Sequence, residues 1–127
     1  MKILIVEDDK NRIKWFKENL VGHSADIVET AKLGIALCQT KKYDAVFLDH
    51  DLGGEIFVDS NHHNTGYQVA KLMAESMNKD TPTIVHSHNP SGAKNIKGVI
   101  KHAFLVPFCD LMLTDLSSVL SQLVSKS

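Results

Sequence analysis

Short apolar runs that stop at acids, separated by helix-period stripes, limit most sharply what this sequence can fold into. Lys2 to Val6 is apolar after its first residue, too short for a helix, and ends at Glu7-Asp8-Asp9. Ala45 to Leu48 repeats the pattern and ends at Asp49. Runs without polar alternation suit strands covered by helices on both faces, the condition of a parallel sheet. Between them, Ile13, Phe16 and Leu20 recur at helical spacing, a strand is expected around Ile27-Val28, and Thr30 can cap a helix from about Ala31 to Cys38.

The alternation continues to the end of the chain. Val69, Leu72, Met73 and Met77 mark a third helix, and Thr83 to Val85 a fourth strand that runs into His86-Ser87-His88-Asn89-Pro90. Ala93, Ile96, Val99 and Ile100 stripe a helix, Ala103 to Val106 reads as a strand stopped by Pro107, and Leu116, Val119, Leu120, Leu123 and Val124 stripe a last helix starting near Thr114-Asp115. The expected architecture is α/β, five strands and five helices in one doubly wound domain over residues 1–127, with no repeat or linker.

In such sheets ligands bind beyond the carboxyl ends of the strands. Three ends carry polar clusters here: Glu7-Asp8-Asp9, Asp49-His50-Asp51 and His86-Ser87-His88-Asn89. Carboxylates forced together repel unless a cation lies among them. Glu7, Asp8 and Asp49 are therefore candidate ligands for a divalent ion, Mg²⁺ first, with Mn²⁺ or Zn²⁺ as alternatives if imidazoles join. Asp9, just before the first helix, suits a helix cap equally well.

Seven histidines are many for 127 residues. His23 and His102 stand alone, and His62 and His63 fall in the polar stretch after Gly54. His50, His86 and His88 abut strand ends, where an imidazole can exchange a proton, donate to a phosphate oxygen or bind metal. Strand parity separates Ser87 from His86 and His88, and Asp49 from His50, so the residues alone do not say which imidazole reaches the site. Ser87, His88, Asn89 and the amide of Gly92, at a helix start, are candidates for holding an anion.

Net charge is −1, so no global field favours nucleic acid or anionic membrane. No stretch is long and apolar enough for a membrane span, no signal segment opens the chain, and no DNA-binding domain is expected. Cys38 and Cys109 have no paired spacing, as in a cytoplasmic protein with free thiols.

With these clusters at these strand ends, the chain resembles the receiver domain of two-component response regulators. KILIVEDD resembles its first strand and acidic pair, placing metal-binding acids at Glu7 and Asp8. YDAVFLDHDLGG resembles its third strand, so Asp49 matches the phosphoacceptor, and TPTIVHS puts Ser87 at the switch hydroxyl. The resemblance implies sheet order 2-1-3-4-5. Two features depart from it: Val106 stands where receivers carry a lysine before the proline, and the stretch from Gly54 to Gly66 is longer. Both, with LDHDLG, TGY and HSHNPSG, resemble a divergent cyclic-phosphate-processing receiver subgroup.

That resemblance implies a metal-dependent domain that binds or opens a cyclic phosphate on a small ligand, a nucleotide or an RNA end. Asp49, His50, His86 and Ser87 would be its catalytic residues. The other implied reading is a stand-alone receiver phosphorylated on Asp49 by a histidine kinase, with Phe104 near the aromatic switch position. A third is a non-catalytic pseudo-receiver that binds a protein partner.

Overall fold

A computed structural model describes residues 1–125. Five strands form one parallel sheet: β1 (Lys2–Val6), β2 (Ser24–Val28), β3 (Ala45–Leu48), β4 (Thr83–Val85) and β5 (Phe104–Leu105), in the order β2-β1-β3-β4-β5. The helices are α1 (Lys10–Asn19), α2 (Ala31–Thr40), α3 (Gly66–Met73), α4 (Pro90–Val99), α5 (Phe108–Leu111) and α6 (Leu116–Ser125). Asp9 caps α1 by accepting from the amides of Asn11 and Arg12, and Thr30 caps α2. Among the described residues no helix is long and apolar enough to cross a membrane. Both cysteines are free thiols.

Alternation along each strand splits the core into two layers. Leu4, Val6, Val46, Leu48 and Val85 pack against α2, α3 and α4. Ile3, Ile5, Ala45, Phe47 and Ile84 face α1, α5 and α6, where Phe16 and Leu120 are fully buried. Truncating a ring such as Phe16 to alanine typically costs about 3–5 kcal/mol, so this second layer is what fixes α1 over the strand ends.

Register then places the site. Val6 pairs with Leu48, and Leu48 with Val85. The ladder continues one residue further, through the amides of Glu7, Asp49 and His86, which donate to Val28, Val6 and Leu48 carbonyls. Glu7, Asp49 and His86 therefore stand abreast, with the parity of Ile5, Phe47 and Ile84, on the α1/α5 side.

Three elements differ from the sequence reading. A one-turn helix, α5, follows Pro107, making six helices among the described residues and carrying Phe108 back onto α1. The fifth strand spans two residues rather than four. Helix α3 ends at Met73 because the Ser76 hydroxyl donates to the Met73 carbonyl, which leaves Met77 half exposed. The buried residue beyond that turn is Asn78, which accepts from the Tyr43 amide and donates to the carbonyls of Cys38 and Lys41.

Candidate functional site

At the carboxyl edge of the sheet lies a cleft of about 520 Å³. Glu7, Asp8, Asp49, Arg12, Ser87 and His88 line it, together with Gly54 to Phe57 of the long insertion. The register described above makes this convergence obligatory, because three neighbouring strands end at the same level.

Glu7 is fully buried. Its Oε2 accepts from the amides of Asp8 and Asp9, and its Oε1 from His86 Nε2 at 2.9 Å. Burial pulls the Glu7 carboxyl up, but the His86 and Asp9 hydrogen bonds and the nearby Arg12 outweigh it and hold it below the usual carboxylate range. His86 is completely buried between Phe16 and Phe108, and its Nδ1 has no hydrogen-bond partner among the described residues. Burial pushes this imidazole toward its neutral form despite Glu7. A neutral ring with the proton on Nε2 fits both facts, so His86 donates to Glu7 and keeps a bare lone pair on Nδ1.

Asp49 adjoins that anion. Burial first, and then the charge of Glu7, push its carboxyl up to about 8. Its Oδ1 accepts the His50 amide at 2.9 Å. Two buried carboxylates that cannot both ionise unaided form a site that a divalent cation would relieve. Ligand atoms of Glu7, Asp49 and His86 lie within 4.8 Å of one another, and with the His86 proton given to Glu7 the carboxylates of Glu7 and Asp49 are the pair placed to take an ion. Asp8 is on the cleft wall rather than in that trio; its Oδ2 accepts the Gly54 amide at 2.6 Å. Burial, with Glu7 and Asp9 alongside, raises its carboxyl. Oxygen donors of this kind fit a hard ion such as Mg²⁺.

In the same cleft, Ser87 Oγ accepts the Asn89 amide, which leaves its proton to give. His88 Nε2 accepts the Cys109 amide, so a neutral ring carries its proton on Nδ1. Both residues line the cleft.

The other anticipated residues have different positions. His50 is fully buried and lies behind the cleft wall; Nδ1 donates to Asp51 Oδ1 at 2.8 Å and Nε2 accepts from Ser60 Oγ at 2.8 Å. Asn89 caps α4, its Oδ1 taking the Gly92 amide at 3.0 Å, so that amide is engaged within the chain rather than free for an anion. Gly92 has no side chain because a Cβ there would stand 2.4 Å from His50 Cγ. His62 and His63 stack on each other at 4.4 Å in the insertion and do not line the cleft.

Asp51 fastens the insertion. It accepts from His50, Asn89 and the amides of Phe57 and Val58. Burial raises this carboxyl, but those bonds outweigh it and hold it below the usual range. Phe57 is thereby kept at a φ of 53°, unusual for a side chain of its size. Gly66 closes the loop, its amide donating to the His50 carbonyl where a Cβ would collide with the Asp49 backbone.

The basic residue of the cleft was not anticipated. Arg12 reaches in from α1, with Nη1 3.5 Å from Glu7 Oε1 and 3.8 Å from Asp49 Oδ2, over the Phe108 ring at 5.1 Å. Its signal in sequence is position: Arg12 precedes Phe16 by four, so it shares the core-facing side of α1.

Residues 2–102 match the family model described as the cyclic-phosphate processing receiver domain. No curated protein matches this chain in sequence. The fold is similar to the receiver domain of a sensor histidine kinase from Pseudomonas aeruginosa PAO1, solved with a magnesium ion in its active-site cleft, at 19% identity and a TM-score of 0.74, covering 98% of this chain and 97% of that one. It is also similar to a response regulator receiver domain protein from Methanospirillum hungatei JF-1, at 18% identity and 0.70 over 99% and 98% of the chains. The Vibrio cholerae chemotaxis protein CheY4 gives 20% and 0.68 over 96% and 97%.

Proposed function

Because this chain belongs to the cyclic-phosphate processing receiver domain family, we propose that its cleft binds a cyclic phosphodiester, on a nucleotide or an RNA end, and opens it with the help of a divalent cation. The observation that carries this reading is the sharing of one cleft by a repelling carboxylate pair, Glu7 and Asp49, and by the proton donors of Ser87 and His88. Glu7, Asp8 and Asp49 would hold the ion, Mg²⁺ by their hard oxygens. When bound, such an ion polarises a phosphoryl oxygen and acidifies water.

The chain's own residues do the rest. His86 fixes the Glu7 carboxylate from behind, as a hydrogen-bonding partner of a metal ligand does. The Ser87 hydroxyl donates to a phosphoryl oxygen and orients the ring. Opening adds a water oxygen to phosphorus and breaks one ring P–O bond, the water losing a proton to solvent and the departing oxygen gaining one; His88, which lines the cleft, would deliver it as an imidazolium, exchanging its hold on the Cys109 amide for a second N–H. His50, with both nitrogens engaged, holds the insertion that walls the cleft.

The test is turnover of a 2′,3′-cyclic nucleotide with Mg²⁺, Mn²⁺ and Zn²⁺. His88→Ala is expected to lower turnover by roughly 10²-fold or more, the usual share of general acid help, with His23→Ala unchanged. Neither turnover nor saturable binding across a panel of cyclic phosphates overturns the reading. Incubation with acetyl phosphate and Mg²⁺ is expected to label Asp49 weakly, since Val106 brings no cation to the site; stoichiometric labelling favours a phosphorylated signalling receiver instead.

A further inference from the structure

The cleft walls are strongly acidic, and Arg12 is the one lysine or arginine among the residues that line them. Its side chain is about three-quarters covered, with 25% of its surface exposed, yet no guanidinium N–H makes a hydrogen bond within the protein among the described residues. The contacts at 3.5 and 3.8 Å to Glu7 and Asp49 are longer than a charge-assisted N–H···O bond of about 2.7–2.9 Å. The guanidinium is thus attracted to the carboxylates without being claimed by them. Phe108 supports its face at 5.1 Å, and the Asp9 cap fixes the first turn of the helix that carries it.

A covered arginine with unused donors, aimed into a cleft, is arranged for an anion that is not part of the chain. Its planar fork matches paired oxygens on phosphorus, which an ammonium does not. We infer that Arg12 is the anion-binding residue of this cleft, presenting its N–H donors to the oxygens of a bound phosphoryl group. The inference deepens the functional reading above and rests on it only for the location of the phosphate. It also sets an order: once a divalent cation occupies the carboxylates, the guanidinium loses its counter-ions and is released to the phosphoryl oxygens.

Calorimetric titration of inorganic phosphate into the Mg²⁺-saturated chain tests this, alongside titration of Mg²⁺ alone. Arg12→Gln is expected to weaken phosphate binding at least 10-fold while Mg²⁺ binds as well as before or better. Arg12→Lys is expected to recover only part of the phosphate affinity, because it restores charge without the fork. Circular dichroism and thermal unfolding establish that each variant folds. Unchanged phosphate affinity in a folded Arg12→Gln overturns the inference, as does absence of phosphate binding by the unaltered chain. A parallel loss of Mg²⁺ and phosphate affinity also overturns it, since that marks a residue that merely holds the carboxylates in place. If Arg12→Gln loses phosphate but the unaltered chain turns over no cyclic nucleotide, Arg12 keeps its role and the catalytic reading fails.

Discussion

Two carboxylate–imidazole pairs, Glu7–His86 at 2.9 Å and Asp51–His50 at 2.8 Å, have nearly the same spacing and opposite surroundings. Around Asp51 the accounts close: two backbone amides, Asn89 and His50 donate to the carboxylate, and Ser60 takes the far nitrogen of the ring. Around Glu7 they stay open. The far nitrogen of His86 has no partner, a second carboxylate presses from Asp49, and an arginine leans in without bonding. The same chemical pair is thus a fastener in one place and a poised site in the other. What differs is whether the neighbours complete the hydrogen bonding, which buried polar groups otherwise require.

The largest effect is expected on the open side. Asp49→Ala should abolish Mg²⁺ binding and raise the thermal midpoint of the ion-free chain, because it removes one of two repelling buried carboxyls; calorimetry and thermal unfolding read both. If Asp49→Ala binds Mg²⁺ as the unaltered chain does, the open pair is not a metal site. Next comes His86→Ala, expected to weaken Mg²⁺ about 10- to 100-fold, the usual cost of losing the partner that orients a ligand.

On the closed side Gly92→Ala should destabilise by about 1–3 kcal/mol through overpacking against His50, with Mg²⁺ affinity changed by no more than about twofold. Chemical denaturation and Mg²⁺ titration check the pair of outcomes, and a joint loss would erase the distinction drawn between the two regions.

The smallest effect is a slope in pH. Asp49 keeps its proton to about pH 8 when folded but loses it near 3.8 when unfolded. Asp49 makes the folded chain bind an extra proton in between, whereas neutral His86 makes it bind one fewer below about 6.5, so the net fall in stability comes as pH rises from about 6.5 to about 8. Saturating Mg²⁺ should flatten that slope, and Mg²⁺ affinity should climb over the same range because binding expels the proton. Denaturation midpoints from pH 5 to 8, with and without Mg²⁺, show it.

Strand ends were legible in the sequence because an apolar run that meets an acid leaves little choice of boundary, as Val6-Glu7 and Leu48-Asp49 show. The side to which His86 turns was legible in principle. Ile84 belongs to the same layer as Ile5 and Phe47, so two residues on, His86 joins Glu7 and Asp49. It stayed open because the sequence alone does not say whether Ser87 is still in the strand. Arg12 was half legible, since its spacing from Phe16 turns it to the core-facing side of α1 but does not say that it meets Asp49, and Asn78 was not, since nothing local separates a turn asparagine from one whose partners lie far along the chain. The end of α3 was hidden for a related reason: one hydroxyl, Ser76, outweighs the apolar period that Met77 continues.

The abreast placement of Glu7, Asp49 and His86 has a further consequence. Hydrogen-bonded strands lie about 4.7–4.9 Å apart, and two oxygens on either side of a small cation at 2.0–2.1 Å span about 4 Å. The sheet is in effect a ruler whose divisions nearly match the ion, so the chemistry of the site is set by which residue occupies each mark. The loop between Gly54 and Gly66 can lengthen, shorten or change its sequence without moving those marks provided Gly66 stays, and a descendant can exchange one of the three residues without rebuilding the other two.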